Sequence, residues 1–259
     1  AYESNDKKYT FSEVRLYAQK IGSQIIKRNA DNTPIATILD RNVDTILDYL
    51  GIVYSGHAYA PIDANLPDAR IEVILHLLKP QLIITNNKNR EKVEDILTKV
   101  KLNCSVLIED ELMKGEIDSL SINNIRKNMC STDPLYVIFT SGSSGRPKGV
   151  ITSHMTLINY IQAYADVMDI SEHDRLGNQS PLDYIAAIRD IYLPLYKSAY
   201  TFILPKEFFM QPVKLTDIMN EKKITCIGWS ASALAILTKL GIFKECQLYY
   251  LKKICFSGS

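Results

Sequence analysis

The sequence lacks the features that mark membrane-spanning, nucleic-acid-binding and disulfide-linked proteins. It has no apolar run of membrane-spanning length, and 30 Lys and Arg residues nearly balance 29 Asp and Glu residues, which gives a net charge of +1. A near-neutral chain has no overall field that attracts nucleic acid or an anionic membrane, so we expect neither partner. The five cysteines show no Cys-x-x-Cys spacing, which argues against a metal site or a disulfide framework. Reduced thiols favour a cytoplasmic location.

Linkers rich in Pro, Gly or Ser are also missing, and short β-branched runs alternate with amphipathic segments instead. This order predicts an α/β fold with layered, mostly parallel β-sheets flanked by helices. Strands are predicted over 35–39, 58–62, 82–85, 105–108, 135–139, 200–204, 224–227 and 253–256. Helices are predicted from Val43, with Asn42 as N-cap, and over 68–78, 90–100, 153–167, 214–221 and 231–240. A polar stretch over 118–128 suggests sub-lobes 1–130 and 131–259.

The most informative segment is 136–149, which reads YVIFTSGSSGRPKG. An apolar strand ends abruptly in a run of hydroxyl side chains and glycines, followed by Lys148. Glycines at 142, 145 and 149 can adopt positive φ and admit close backbone approach to a ligand. Backbone N–H groups, hydroxyls and one ammonium group at the end of a buried strand suit a polyphosphate.

Two other interpretations of this segment are weaker. A flexible Gly/Ser linker would not follow a buried strand directly or end in Pro-Lys-Gly before the apolar pair Val150-Ile151. The P-loop pattern requires Gly-Lys-Ser/Thr at its end. Here Pro147 precedes Lys148, and Gly149 follows it.

The segment resembles the phosphate-binding motif of the adenylate-forming superfamily, (Y)TSG(ST)TGxPKG, with Ser144 where Thr is usual. Two further stretches are similar to adenylation domains of nonribosomal peptide synthetases. Residues 9–14 are similar to LTYxEL, and residues 54–70, YSGHAYAPIDANLPDAR, are similar to KAGxAYVPIDPxYPxxR. His154 stands where the family often has His, and we expect it to cap or pack at a helix start. The chain therefore resembles the large N-terminal lobe of such a domain.

The resemblance implies ATP-dependent activation of a small carboxylic acid to an acyl-adenylate, for transfer to a carrier-protein phosphopantetheine thiol. It implies that the β- and γ-phosphates are held by Thr140, Ser141, Gly142, Ser143, Ser144, Gly145 and Lys148. It also implies Mg²⁺, whose Glu ligand is expected beyond residue 259, as is the catalytic lysine. Two alternatives stay open: a stand-alone acyl-CoA or acyl-AMP ligase, and a non-catalytic nucleotide-binding module.

The acyl pocket departs from the family pattern Phe-Asp-x-Ser, whose Asp pairs with the substrate ammonium. Counting back without a gap from residues 189–192, which are similar to xDIF, places Ile185 at the Asp position and Tyr184 at the Phe. Shifting the register by two places Asp183 there instead. With Ile185, a buried substrate ammonium would lack a counter-ion, which favours aryl, hydroxy or keto acids. With Asp183, an ordinary amino acid fits.

Other pocket residues follow from the gapless register and the resemblance. They are Ala186, Arg189, Gly228, Cys255 and Ser257, with Gly258 on the adenine side. Arg189 is alternatively a surface or interlobe charge, and Trp229 is expected in the core.

The chain ends before the family's adenine-stacking, ribose-binding and C-terminal catalytic segments. Its N-terminus is polar, has no initiator Met and does not resemble a signal peptide. We therefore expect 1–259 to be a partial adenylation domain that is inactive in isolation.

Overall fold

The computed structural model describes residues 1–28, 31–141, 146–241 and 246–257, with backbone only at 141 and 257. Its strands are β1 Tyr2–Glu3, β2 Lys8–Tyr9, β3 Ile35–Leu39, β4 Tyr59–Asp63, β5 Leu82–Thr85, β6 Ser105–Ile108, β7 Pro134–Ser141, β8 Pro147–Ser153, β9 Arg175–Asn178, β10 Tyr200–Ile203, β11 Cys226–Ser230 and β12 Lys253–Ser257. Its α-helices are α1 Phe11–Ile26, α2 Val43–Tyr54, α3 Asp68–Leu78, α4 Arg90–Val100, α5 Glu109–Lys114, α6 Ser119–Asn128, α7 His154–Val167, α8 Ala187–Lys197, α9 Pro212–Glu221 and α10 Ala231–Lys239.

The residues form two compact units. One unit is Ser12–Ile158, and the other combines Ala1–Phe11 with Asn159–Ser259. These boundaries differ from the suggested sub-lobes 1–130 and 131–259, because β7 and β8 continue the same sheet as β3 and β4. In the described part of the chain, no helix combines the length and the apolar character needed to cross a bilayer.

The Ser12–Ile158 unit is built on a six-stranded sheet in the order β6-β5-β3-β4-β7-β8. All neighbouring strands are parallel except the antiparallel pair β7 and β8. The central strand β3 is buried along its whole length, as the continuous apolar run of a parallel strand requires. The Asn42 side chain caps α2 by accepting a hydrogen bond from the Thr45 N–H at 3.0 Å, as predicted.

The second unit has a sheet in the order β12-β11-β9-β10-β1-β2. Parallel pairing joins all of these strands except β1 and β2, which are antiparallel. Trp229 on β11 is 1% exposed and donates its indole N–H to the Gly177 carbonyl at 3.2 Å. This confirms its expected place in the core, among the apolar residues of β10, α9 and α10.

Most predicted elements are present, and the mostly parallel sheets are confirmed. The polar stretch before β7 is not a connector, however, but helix α6. Asp118 begins this helix by accepting the Ser121 N–H at 3.0 Å, and Ile122 is its one buried residue. A helix with so narrow an apolar face gives little periodic signal in the sequence. The strand predicted over 224–227 is displaced and runs from Cys226 to Ser230.

Candidate functional site

The two ends of the Ser/Gly segment lie side by side on adjacent strands. β7 and β8 form a hairpin in which Thr140 lies opposite Lys148 and Ser141 lies opposite Pro147. Cross-strand partners share one face of a sheet, so the hydroxyl of Thr140 and the ammonium of Lys148 belong to the same face. The Thr140 hydroxyl also donates to the Lys148 carbonyl at 3.5 Å. Gly142, Ser143, Ser144 and Gly145, at the tip, lie outside the described residues, as does the Ser141 side chain.

Lys148 is exposed and has no ion-pair partner among the residues that the structure describes. Lys88 provides the contrast, because its ammonium lies 3.1 Å from the carboxylate of Asp40. Burial tends to raise the pKa of Asp40, but hydrogen bonds from Lys88 and Asn89 outweigh it and hold that pKa below its usual value. Lys88 is thus already neutralised by a carboxylate, whereas Lys148 is available to an anion.

Gly149 differs from the sequence expectation of positive φ. It lies within β8 opposite Phe139, and it is not among the described glycines with positive φ. The lack of a side chain at Gly149 allows close packing instead. A Cβ there would lie 3.0 Å from Val137 Cγ1 and 3.3 Å from the Phe139 ring. The glycine keeps the hairpin close to these side chains and so fixes where the loop begins.

The hairpin tip lies at the carboxyl end of β7, which runs parallel to β4. Ligands of open α/β sheets bind beyond the carboxyl ends of the strands. The position of Thr140 and Lys148 at this edge therefore suits a bound anion. Within the described ranges, no group of three or more His, Cys, Asp and Glu residues could hold a metal ion.

The residues assigned to the acyl pocket fall in the other unit, where three separate segments meet. Gly228 on β11 is the register partner of Cys255 on β12. Arg189, in the first turn of α8, donates from a terminal nitrogen to the Gly228 carbonyl. A Cβ at Gly228 would lie 2.4 Å from Arg189 Nε, so a larger residue there would require the guanidinium to shift. We call Arg189, Gly228 and Cys255 the pocket wall.

Arg189 is 3% exposed, which rules out the alternative of a surface charge. Its Nε lies 3.7 Å from Asp190 Oδ1, and its Cζ lies 5.7 Å from the ring centre of Tyr164. Burial alone would lower the pKa of Arg189, but the neighbouring Asp190 raises it, so the guanidinium stays charged. Asp190 is itself fixed, because its Oδ2 accepts the Asn178 amide at 2.9 Å.

The segment before α8 forms consecutive turns. Tyr184 N–H donates to the Pro181 carbonyl at 3.1 Å, and Ala187 N–H donates to the Tyr184 carbonyl at 3.0 Å. Tyr184 and Ile185 are 53% and 44% exposed, while Asp183 and Ala186 are partly buried. The choice between Asp183 and Ile185 at the ammonium-recognition position stays a prediction. The Ser257 side chain and Gly258 lie outside the described residues.

His154 is the first residue of α7, as its expected role at a helix start requires. Its N–H donates to the Asp133 carbonyl at 3.1 Å. Burial lowers the pKa of His154, although Asp133 opposes the shift.

Comparison with known proteins assigns the class. The profile of the family described as AMP-binding enzyme matches residues 1–259, and the chain belongs to this family. Gramicidin S synthase 1 of Brevibacillus brevis is 26% identical over 222 residues, which is 84% of this chain and 19% of that protein. The chain thus spans about a fifth of the length of this curated relative.

Solved structures support the fold. The chain matches the nonribosomal peptide synthetase FmoA3 with a TM-score of 0.83 and 21% identity, covering 100% of this chain and 27% of that one. It matches ATP-bound MatB from Rhodopseudomonas palustris with a TM-score of 0.80 and 18% identity, covering 100% of this chain and 52% of that one. Both likenesses concern the architecture of two mostly parallel sheets flanked by helices.

Proposed function

We propose that this chain is the N-terminal core of an adenylation domain that activates a carboxylic acid with ATP. The main support for this proposal is the state of Lys148 beside the hairpin tip. This lysine is exposed, lacks a carboxylate partner among the described residues and lies opposite Thr140. Membership of the AMP-binding enzyme family and the similarity to synthetases of nonribosomal peptides support the same function.

In the proposed reaction, a carboxylate oxygen of the substrate attacks the α-phosphorus of ATP. A bond forms between that oxygen and phosphorus, the bond to the bridging oxygen of the β-phosphate breaks, and pyrophosphate leaves with the negative charge. Lys148 and the hydroxyls of 140–144 hold the β- and γ-phosphates and stabilise this developing charge. Mg²⁺, carried by the triphosphate, would supply further charge neutralisation.

We also propose that the acyl group is transferred to the phosphopantetheine thiol of a carrier protein. The chain is similar to a dimodular nonribosomal peptide synthase of Bacillus subtilis, and the segment 54–70 resembles the peptide-synthetase pattern. The thiolate would attack the acyl carbon, and AMP would leave.

The acid substrate is proposed to lack an α-ammonium group. Ile185 would supply no counter-ion in the gapless register, and Asp190 already pairs with the buried Arg189. A substrate ammonium buried there would be unpaired, which is costly. Aryl, hydroxy and keto acids avoid this cost.

ATP–pyrophosphate exchange by the full-length protein tests the function. The assay compares matched sets of amino, hydroxy, keto and aryl acids. Exchange with a keto, hydroxy or aryl acid and little with the corresponding amino acid is expected. Strong exchange with a simple α-amino acid would contradict the substrate class while supporting acid activation. No exchange with any acid, in protein that binds ATP, would contradict acid activation itself.

A further inference from the structure

A separate concave site lies in the Ser12–Ile158 unit. It is a cavity of about 480 Å³ lined by Arg15, Val53, Tyr54, Arg126, Met129 and His154. His154 follows Ser153, which lies opposite Pro134 at the start of β7, whereas the phosphate-loop end of the hairpin is the pair of Ser141 and Pro147. An eight-residue strand is roughly 25 Å long, so the cavity is distinct from the proposed ATP site.

Close helix packing fixes the walls of this cavity. A Cβ at Gly22 in α1 would lie 2.8 Å from Tyr54 Cβ in α2, so the two helices touch there. Gly56 has φ +83° and would place a Cβ 2.9 Å from Ile125 in α6, which fixes the end of α2 against α6. Tyr54 and Arg126 are thus carried by elements in tight contact, and the concave surface is preformed.

The cavity carries positive charge that the described residues do not neutralise. Arg15 and Arg126 are exposed, and neither forms an ion pair or hydrogen bond within the described ranges. Arg90 on α4 shows the alternative, because its Nε pairs with Glu94 at 2.8 Å. The carboxylate of Asp133 interacts electrostatically with His154. Its Oδ2 already accepts a hydrogen bond from the Cys130 N–H at 2.7 Å. Two guanidinium groups lining one concave surface favour an anion.

We propose that this cavity binds a small phosphorylated organic molecule. Guanidinium groups donate paired hydrogen bonds to phosphate oxygens, and two of them match the double charge of a phosphate monoester better than the single charge of a carboxylate. Val53, Met129 and the ring of Tyr54 provide an apolar surface for the organic part, while the His154 imidazole offers a ring N–H. The cavity volume lies within the range typical of small-molecule sites, about 300–1,000 Å³. The assignment does not depend on acid activation.

Calorimetric titration with phenyl phosphate tests the site in the full-length protein. We expect saturable binding to one site, with benzoate and inorganic phosphate binding more weakly. Arg15→Gln and Arg126→Gln should each weaken phenyl phosphate binding about tenfold, the effect of losing one charge-assisted hydrogen bond. Lys127→Gln is the matched control, since it removes a neighbouring charge of α6 outside the cavity, and it should leave binding unchanged. Lys148→Met should also leave it unchanged.

Two results would overturn the proposal: no binding of phenyl phosphate at millimolar concentration, or binding that Arg15→Gln and Arg126→Gln do not weaken. Benzoate binding as tightly as phenyl phosphate would overturn the assignment to phosphorylated ligands. Modification of the unaltered protein by an arginine-specific reagent, read by mass spectrometry, gives an independent measurement if a variant does not fold. Phenyl phosphate should protect Arg15 and Arg126 and leave Arg90 unaffected, whereas equal modification with and without the ligand would contradict the proposal.

Discussion

The two regions proposed to hold ATP and the acid differ in the burial and pairing of their cations. Lys148, at the hairpin tip, is exposed and has no carboxylate partner in the described part of the chain. Arg189, in the pocket wall, is 3% exposed and lies beside Asp190, with its terminal nitrogen on the Gly228 carbonyl. A solvated, uncompensated cation can bind an anion without first breaking an ion pair. A buried, compensated one mainly shapes and charges its surroundings.

The same substitution in both regions gives the largest expected contrast in stability. Arg189→Met leaves Asp190 buried without its cation, and breaking a buried pair in this way costs about 3–5 kcal/mol. Lys148→Met removes a solvated charge and should change the free energy of unfolding by less than about 0.5 kcal/mol. Urea denaturation followed by circular dichroism measures both. Equal stability losses in the two variants would break the contrast.

Activity should show the reverse order. Lys148→Met removes a charge from the proposed phosphate cradle, so we expect pyrophosphate exchange to fall about a hundredfold, whichever acid is supplied. Lys99→Met, on the exposed face of α4, is the matched control and should keep the original rate. Exchange unchanged in Lys148→Met would remove the main support for the cradle.

A smaller effect is expected within the pocket wall. Gly228→Ala places a Cβ 2.4 Å from Arg189 Nε, and overpacking of this kind costs about 1–3 kcal/mol. The double variant Gly228→Ala with Arg189→Met should lose less stability than the two single losses added together, because the clash disappears with the guanidinium. Thermal unfolding of the three variants measures this coupling, and strictly additive losses would contradict the contact.

The smallest effect concerns a buried acid in the unit that carries the hairpin. Asp48 is 0% exposed, and burial together with the neighbouring Glu109 raises its pKa well above the usual value. A raised carboxyl pKa contributes stability that is fully present at acidic pH and is lost as the pH rises through the folded-state pKa. Asp48→Asn should therefore lose less stability than the unaltered protein as the pH rises from 5 to 8.

Urea titrations at the two pH values measure this difference. Asp95→Asn, at an exposed position on α4, is the control and should keep the original pH dependence. Exchange activity should be unaffected by Asp48→Asn, because the acid is buried in the core and not at the hairpin tip. An identical pH dependence in Asp48→Asn and the unaltered protein would contradict the raised pKa.

The two regions also differ in how much of each could be predicted from the sequence. The segment proposed to bind phosphate is contiguous, so residue order alone predicted a strand, a Ser/Gly turn and Lys148. The β-branched runs predicted β3, β5 and β6, and the amphipathic segments predicted α3 and α4, all with their observed bounds. The pocket wall is assembled from residues nearly 70 positions apart, and only the register of β11 with β12 brings Gly228 to Cys255. Arg189 is buried because of this packing. Residue order alone therefore could not decide between a pocket position and a surface or interlobe charge.

The cavity of Arg15 and Arg126 gave no sequence signal for the same reason. Its residues come from α1, α2, α6, the residue after α6 and the start of α7, and none belongs to a motif for anion binding. The sequence of α6 was interpreted as a polar connector, because Ile122 is the one buried residue of this helix. A site of this kind emerges only once the helices are packed together.

A crystal structure of the full-length protein with a non-hydrolysable ATP analogue tests the central claim most directly. The account predicts that the β- and γ-phosphates lie at the hairpin tip, within hydrogen-bond distance of Lys148 Nζ and the Thr140 hydroxyl. A triphosphate bound elsewhere, with Lys148 facing bulk solvent, would contradict it.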